Sequence, residues 1–216
     1  MESLIEAAAG LFSNTERRNV GVAVATVVDN LDATSGGRVQ VELPWLPELM
    51  PWARVASFSA GDSRGAFFMP QVGDEVLVAF QHGDVREPFV IGSLWNGTDK
   101  PPATAPNDAV SKRIIKTPAG HEIVLDDNAQ SITITSASKQ VVKIETSKIE
   151  VSAGNGAATV KLENSGKIEV QASVEIKLKA PTISLEGTTI DVKATGAATL
   201  QGSASTSVQG GIVRIN

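Results

Sequence analysis

The chain has 216 residues, 42% of them hydrophobic and 20% charged, with no cysteine and a formal net charge of −5. That hydrophobic content permits a folded core, the lack of cysteine excludes disulfides and thiolate metal sites, and the acidic balance argues against nucleic-acid recognition. No apolar run approaches the roughly 20 residues of a membrane-spanning helix, and the start Met1-Glu2-Ser3-Leu4 lacks the basic region of a secretory signal.

At the N-terminus, Ser3-Leu4-Ile5-Glu6 fits a capping box. Leu4, Ile5, Ala8, Leu11 and Phe12 then share one helical face, so a short helix or docking segment is expected over 1–19. From residue 20 the period changes to two. Residues 20–28 read as a strand, 29–37 as a turn region, and Arg38-Val39-Gln40-Val41-Glu42-Leu43 as an alternating strand ended by Pro44. Further short strands are expected at 52–58 and 66–69. Glu75-Val76-Leu77-Val78-Ala79-Phe80 then runs into the turn Gln81-His82-Gly83-Asp84, and Pro88-Phe89-Val90-Ile91-Gly92 returns antiparallel. Five or six short strands with Gly, Pro and Asp turns predict a small barrel of OB-fold size over 20–97. An oligonucleotide-binding OB-fold uses a basic groove with exposed aromatics. This segment is net acidic, so its rings are assigned to a core or an interface.

The second half is built differently. All nine aromatic residues lie at or before Trp95, and nine of the ten prolines at or before Pro118. Residues 1–106 hold 7 basic and 13 acidic side chains, whereas 107–216 hold 12 and 11. Without large rings an ordinary globular core is hard to build. After a Gly, Pro, Thr and Ala-rich linker (98–112), pairs of aliphatics separated by one polar residue recur. They are Ile132/Ile134, Val142/Ile144, Ile149/Val151, Val160/Leu162, Ile168/Val170, Ile176/Leu178, Ile183/Leu185, Ile190/Val192 and, more weakly, Val213/Ile215. Lys148-Ile149-Glu150-Val151 returns as Lys167-Ile168-Glu169-Val170, an internal repeat.

Most pairs start 7 or 8 residues apart. Eight residues at roughly 3.3 Å each span about 26 Å, one wall and not a closed turn around a core. Flat stacking in one chain would leave the apolar face wet and long edges open. Three walls from three chains solve both problems, each strand then pairing with neighbours from other chains around a narrow aliphatic axis that suits stiff Val and Ile. The expected fold is therefore all-β: an OB-fold barrel followed by an intertwined homotrimeric triple-stranded β-helix, or β-prism, over 113–216. Its trimer core is expected to include Ile149, Val151, Ile168, Val170, Ile176, Leu178, Ile183, Leu185, Ile190 and Val192.

Several segments resemble a known family. Arg38-Val39-Gln40-Val41, Trp52-Ala53-Arg54-Val55-Ala56, the block Gly65-Ala66-Phe67-Phe68-Met69-Pro70-Gln71-Val72-Gly73-Asp74-Glu75-Val76-Leu77-Val78-Ala79-Phe80, and Pro88-Phe89-Val90-Ile91-Gly92-Ser93-Leu94-Trp95-Asn96-Gly97 are similar to phage baseplate assembly protein V and VgrG-type spikes. Residues 112–125, with Thr117-Pro118-Ala119-Gly120-His121-Glu122-Ile123, resemble that family's transition into its needle. The resemblance implies a non-enzymatic central spike of a contractile tail baseplate or related injection particle, assembled in the host cytoplasm and driven through a target cell envelope. VgrG proteins place hub domains before the OB-fold. Here only about 20 residues precede it, which implies a separate baseplate hub or tail-tube partner. Only residues 96–111 separate barrel and needle, too few for an inserted lysozyme domain. The family's His-x-His iron tip has no counterpart, since His82 and His121 are the two histidines. A separate PAAR-type tip protein is then expected on Ile212, Val213, Arg214, Ile215 and Asn216, and no cofactor is expected.

Other chemistry reads less well. Gly61-Asp62-Ser63-Arg64-Gly65 matches G-x-S-x-G, but a nucleophile elbow needs a helix after it, whereas Ala66-Phe67-Phe68-Met69-Pro70 reads as a strand. Neither histidine is positioned as its base. Asp126-Asp127-Asn128 lacks the Gly and distal Glu of a calcium loop and reads as a hairpin turn. Asn96-Gly97-Thr98 matches a glycosylation acceptor without a secretory context. A trimeric receptor- or carbohydrate-binding tail fibre is the alternative reading; it would call for distal aromatics, and none follows Trp95.

Overall fold

The computed structural model describes residues 21–34, 36–103 and 105–214. The expected N-terminal helix over 1–19 lies outside the described residues. Strands β1 (Val22–Asp29), β2 (Arg38–Glu42), β3 (Trp52–Val55), β6 (Glu75–Phe80) and β7 (Pro88–Ser93) close into a barrel in the order β1-β2-β3-β7-β6. All neighbours are antiparallel except β3 with β7, an OB-type topology. The alternation seen in the sequence is why the barrel closes. Val39 and Val41 of β2, and Val76 and Val78 of β6, point inward and are fully buried, joined by Ala25, Val27, Leu43, Ala53 and Val90. Register shifts at Val27/Asp29 and Leu77/Val78 bend the strands enough to close a small barrel.

The turn at Gln81-His82-Gly83 is a 3-10 turn with His82 in the left-handed region, φ 52. Between β3 and β6 the structure departs from expectation. Residues 66–69 form no strand; the hairpin is instead β4 (Ala60–Gly61) with β5 (Arg64–Gly65). Three consecutive large apolar residues, Phe67-Phe68-Met69, have no alternation and so no single face to bury. The G-x-S-x-G segment is the hairpin itself. Ser63 occupies its turn with φ 52, and a Cβ at Gly65 would run into the Ser59 carbonyl, so glycine there keeps the hairpin tight.

After the barrel, a short helix α1 (Pro106–Ser111) interrupts what the sequence reads as linker, with Pro at its start where a missing N–H is harmless. A second sheet follows: β8 (Lys112–Lys116), β9 (Glu122–Asp126), β10 (Ser131–Thr135), β11 (Val141–Ile144), β12 (Lys148–Ala153), β13 (Ala158–Glu163) and β14 (Ile168–Ala172). They form one antiparallel meander, each strand beside the next. This corrects the expectation that every strand pairs with other chains: through β14 the neighbours belong to the same chain. The connections are short, as at Asp126, whose carboxylate accepts the Ala129 N–H at 2.9 Å, and turns that brief can only bring a chain straight back on itself. Residues 173–214 form no strand among the described residues.

Because the barrel carries the only buried apolar cluster among the described residues, Leu43→Ala is expected to lower its stability by about 2–5 kcal/mol. Denaturant unfolding followed by tryptophan fluorescence checks this, since all three tryptophans lie at or before Trp95.

Candidate functional site

The seven-stranded sheet is a single layer, and its register sorts the sequence into two faces. On one face Leu125, Ile132, Ile144, Ile149, Leu162 and Ile168 stand directly opposite one another, strand after strand, with Arg113 at the β8 end. Beside them runs a second row, Ile115, Ile123, Ile134, Val142, Val151, Val160 and Val170. Cross-strand aliphatic pairs of this kind stabilise the sheet, and β-branched residues suit it.

None of the described residues buries this face. Its large aliphatics, apart from the partly buried Val142, are 36% to 69% exposed. Every buried hydrophobic residue among those described lies at or before Val90. The face thus has the composition of a core and the exposure of a surface. Such a large apolar area marks an association surface. Burying the remaining exposed part would contribute about 1 kcal/mol per side chain, on the order of 10 kcal/mol per chain.

The opposite face is charged. Its central row runs Lys143, Glu150, Lys161 and Glu169 across four strands. Lys-Ile-Glu triplets put cation and carboxylate two residues apart on this same side. Lys143 Nζ lies 2.6 Å from Glu145, Lys148 Nζ 2.9 Å from Glu150 and Lys167 Nζ 3.2 Å from Glu169. The repeat noted in the sequence is therefore a device that shows aliphatics to one side and ion pairs to the other. Hydrogen bonds from Lys143, Lys148 and Lys167 hold the Glu145, Glu150 and Glu169 carboxyls below the usual carboxylate range. The same contacts with Glu150 and Glu169 raise Lys148 and Lys167.

Of the sequence-derived core residues, Ile149, Val151, Ile168 and Val170 share the aliphatic face. Ile176, Leu178, Ile183, Leu185, Ile190 and Val192 lie in the strandless stretch and are 51% to 80% exposed. Ile212 and Val213 are exposed there too, as is Arg214; Ile215 and Asn216 lie outside the described residues. The inventory of aliphatic pairs began at Ile132 and so missed β8 and β9. The alternation Glu122-Ile123-Val124-Leu125-Asp126 was the available signal, obscured because Val124 on the far face is also aliphatic. Among the described residues no cluster of three or more His, Asp or Glu side chains could hold a metal ion. Ser63 Oγ is 3.3 Å from Asp62 and makes no contact with either histidine among the described residues.

A closed five-strand barrel followed by a one-layer sheet with an open aliphatic face defines a modular assembly protein. Residues 23–95 match the family described as the type VI secretion system/phage-baseplate injector OB domain, and residues 112–175 match the phage baseplate V C-terminal trimerisation domain. Among curated relatives, the type VI secretion system spike protein VgrG2a of Pseudomonas aeruginosa is 31% identical over 127 aligned residues, covering 52% of this chain and 15% of that protein. The spike protein VgrG3 of Vibrio cholerae is 33% identical over 107 residues, covering 45% and 10%. The actin cross-linking toxin VgrG1 of Vibrio cholerae is 31% identical over the same length, with the same coverage. The chain thus spans only about a tenth to a sixth of these relatives' lengths. It belongs to the phage baseplate V family, carrying that family's injector OB domain and its C-terminal trimerisation domain.

The ion pairs set a pH dependence. Lowered carboxylates contribute stability that is complete above the ordinary glutamate pKa, about 4.3, and lost as pH falls through their folded values. Raised lysines contribute stability that is complete below about 10.4 and lost as pH rises through theirs. These pairs are exposed, so the effect is modest. The unfolding midpoint of the seven-stranded sheet, followed by circular dichroism, is expected to be flat between about pH 6 and 9 and to decline below about pH 4.

Proposed function

We propose that this chain is the central spike, a membrane-piercing needle, of a contractile phage tail or related injection system. Three copies assemble with their sheets as the walls of a prism, aliphatic rows inward and Lys/Glu rows outward. The barrel (20–97) forms a collar that docks on a hub or tail tube, 98–112 connects, and 113–216 makes the shaft. The observation that carries this reading is the uncovered aliphatic face of β8–β14 within a segment matching a trimerisation domain.

The stretch 173–214 extends the argument. Its pairs Ile176/Leu178, Ile183/Leu185 and Ile190/Val192 follow at a 7-residue step, but the stretch has no in-chain strand partners among the described residues. Backbone N–H and C=O groups shielded from water need partners, and here other copies supply them. The shaft therefore changes from single-chain walls to an interwound triple-stranded β-helix beyond Ala172. Its inward aliphatics include Ile176, Leu178, Ile183, Leu185, Ile190 and Val192. A rod paired along its whole length resists bending, which suits force transmission. Residues Ile212 to Asn216 are the segment assigned to contact with a separate tip protein.

Electron microscopy of the purified chain is expected to show a thin rod under a three-fold knob; compact single-domain particles would refute the reading. Val170→Asp would set three carboxylates together in a dry interior, where like charges strongly disfavour one another. Size-exclusion chromatography is expected to show loss of the assembled species. An assembled, SDS-resistant particle from this variant would mean that the facing is wrong.

A further inference from the structure

One outer wall of the barrel is apolar. Register sets Val22 of β1 opposite Ala79 of β6, and Val24 opposite Leu77. Ala79 in turn stands opposite Phe89 of β7, and Leu77 opposite Gly92, with Ile91 at the irregularity beside them. Along their strands these residues alternate with the buried Ala25, Val78 and Val90, so they face outward. Val22, Val24 and Ile91 are 56%, 40% and 48% exposed, and Leu77 and Ala79 are half-buried. Arg54 lies 4.3 Å over the Phe89 ring, so the patch ends there at a guanidinium.

The chain enters the barrel at this wall, since Val22 opens β1. Ahead of it, Leu4, Ile5, Ala8, Leu11 and Phe12 fall on one helical face behind the capping box Ser3-Leu4-Ile5-Glu6. A helix over 3–12 carries Gly10 and is too short to be stable alone in water, so it needs an apolar surface to lie on. The eight residues that follow, Ser13-Asn14-Thr15-Glu16-Arg17-Arg18-Asn19-Val20, are polar except the last and suit a connection. Extended, they span about 26 Å. A ten-residue helix is about 15 Å long and about 10–12 Å across, and three neighbouring strands with two gaps of about 4.8 Å make a wall about 10 Å wide. The segment therefore has the length to turn back and the width to cover β1, β6 and β7.

We propose that residues 3–12 dock as a helix on the outer wall of β1, β6 and β7 of the same barrel, apolar face against Val22, Val24, Leu77 and Ile91. The short connection holds the two surfaces at high effective concentration, and laying a helix stripe on a sheet face buries both. The barrel gains a second layer on this side. Whatever meets that side in an assembly then meets the polar face of the helix, with Glu6, in place of bare aliphatics. The docking uses no contact between copies and stands apart from the trimeric reading above.

Hydrogen exchange of the full-length chain, read by mass spectrometry, tests the docking. Amides of 7–12, past the first turn whose N–H groups lack helical acceptors, are expected to exchange at least about tenfold more slowly than those of 13–19. Ile91→Asp, or Val24→Asp should the first variant unsettle the barrel, is expected to abolish that protection while the amides of β2 and β6 stay protected. Unprotected exchange of 7–12 in the wild-type chain, or protection that survives both substitutions, would overturn the docking. Because the native chain has no cysteine, Phe12→Cys combined with Ile91→Cys identifies which copy supplies the helix. An intrachain disulfide after oxidation is expected. Covalent dimers or trimers on a denaturing gel would put the segment on a neighbouring copy and overturn the proposal.

Discussion

A single-layer β-sheet has two faces, and each must meet either water or another layer. Here one face meets water through Lys and Glu ladders, and the other carries two rows of Ile, Leu and Val that none of the described residues buries. Everything distinctive about the molecule follows from that open face. The barrel before it is self-sufficient, closing its strands around Val, Ala and Leu. The sheet after it pairs its strands within the chain but leaves one whole face unburied, so its stability depends on association.

The two halves solve the burial problem by different means, and the residue types record the difference. A barrel five strands round can afford rings on its rim, and Arg38 and Arg54 stack there on Trp52 and Phe89. The open sheet carries stiff, compact aliphatics instead. Its outer face carries charges paired along each strand, which keeps an elongated surface solvated without offering a hydrophobic edge.

Much of this was legible from period-two patterning. β1, β2, β6 and β7 stand where alternation put them, the turns at His82 and Asp126–Asn128 formed as read, and Ile149, Val151, Ile168 and Val170 share one face. What the pattern could not supply was the identity of each strand's partner. Alternation is the same whether a neighbour comes from one chain or three, so the in-chain meander of 112–172 was hidden. The short turns that favour it looked like any other Ser/Gly/Asn spacing. Residues 66–69 were misread because β-prone residues suggested a strand where no face was available to bury it. Helix α1 was concealed within a linker-like composition, with only Pro106 to mark its start.

Native mass spectrometry of the purified full-length chain tests the central claim most directly. Three chains are expected in one particle, three times the 22.5 kDa chain mass, persisting at low micromolar concentration. A 22.5 kDa particle that stays folded and dispersed, with the aliphatic face of β8–β14 open to solvent, would contradict it.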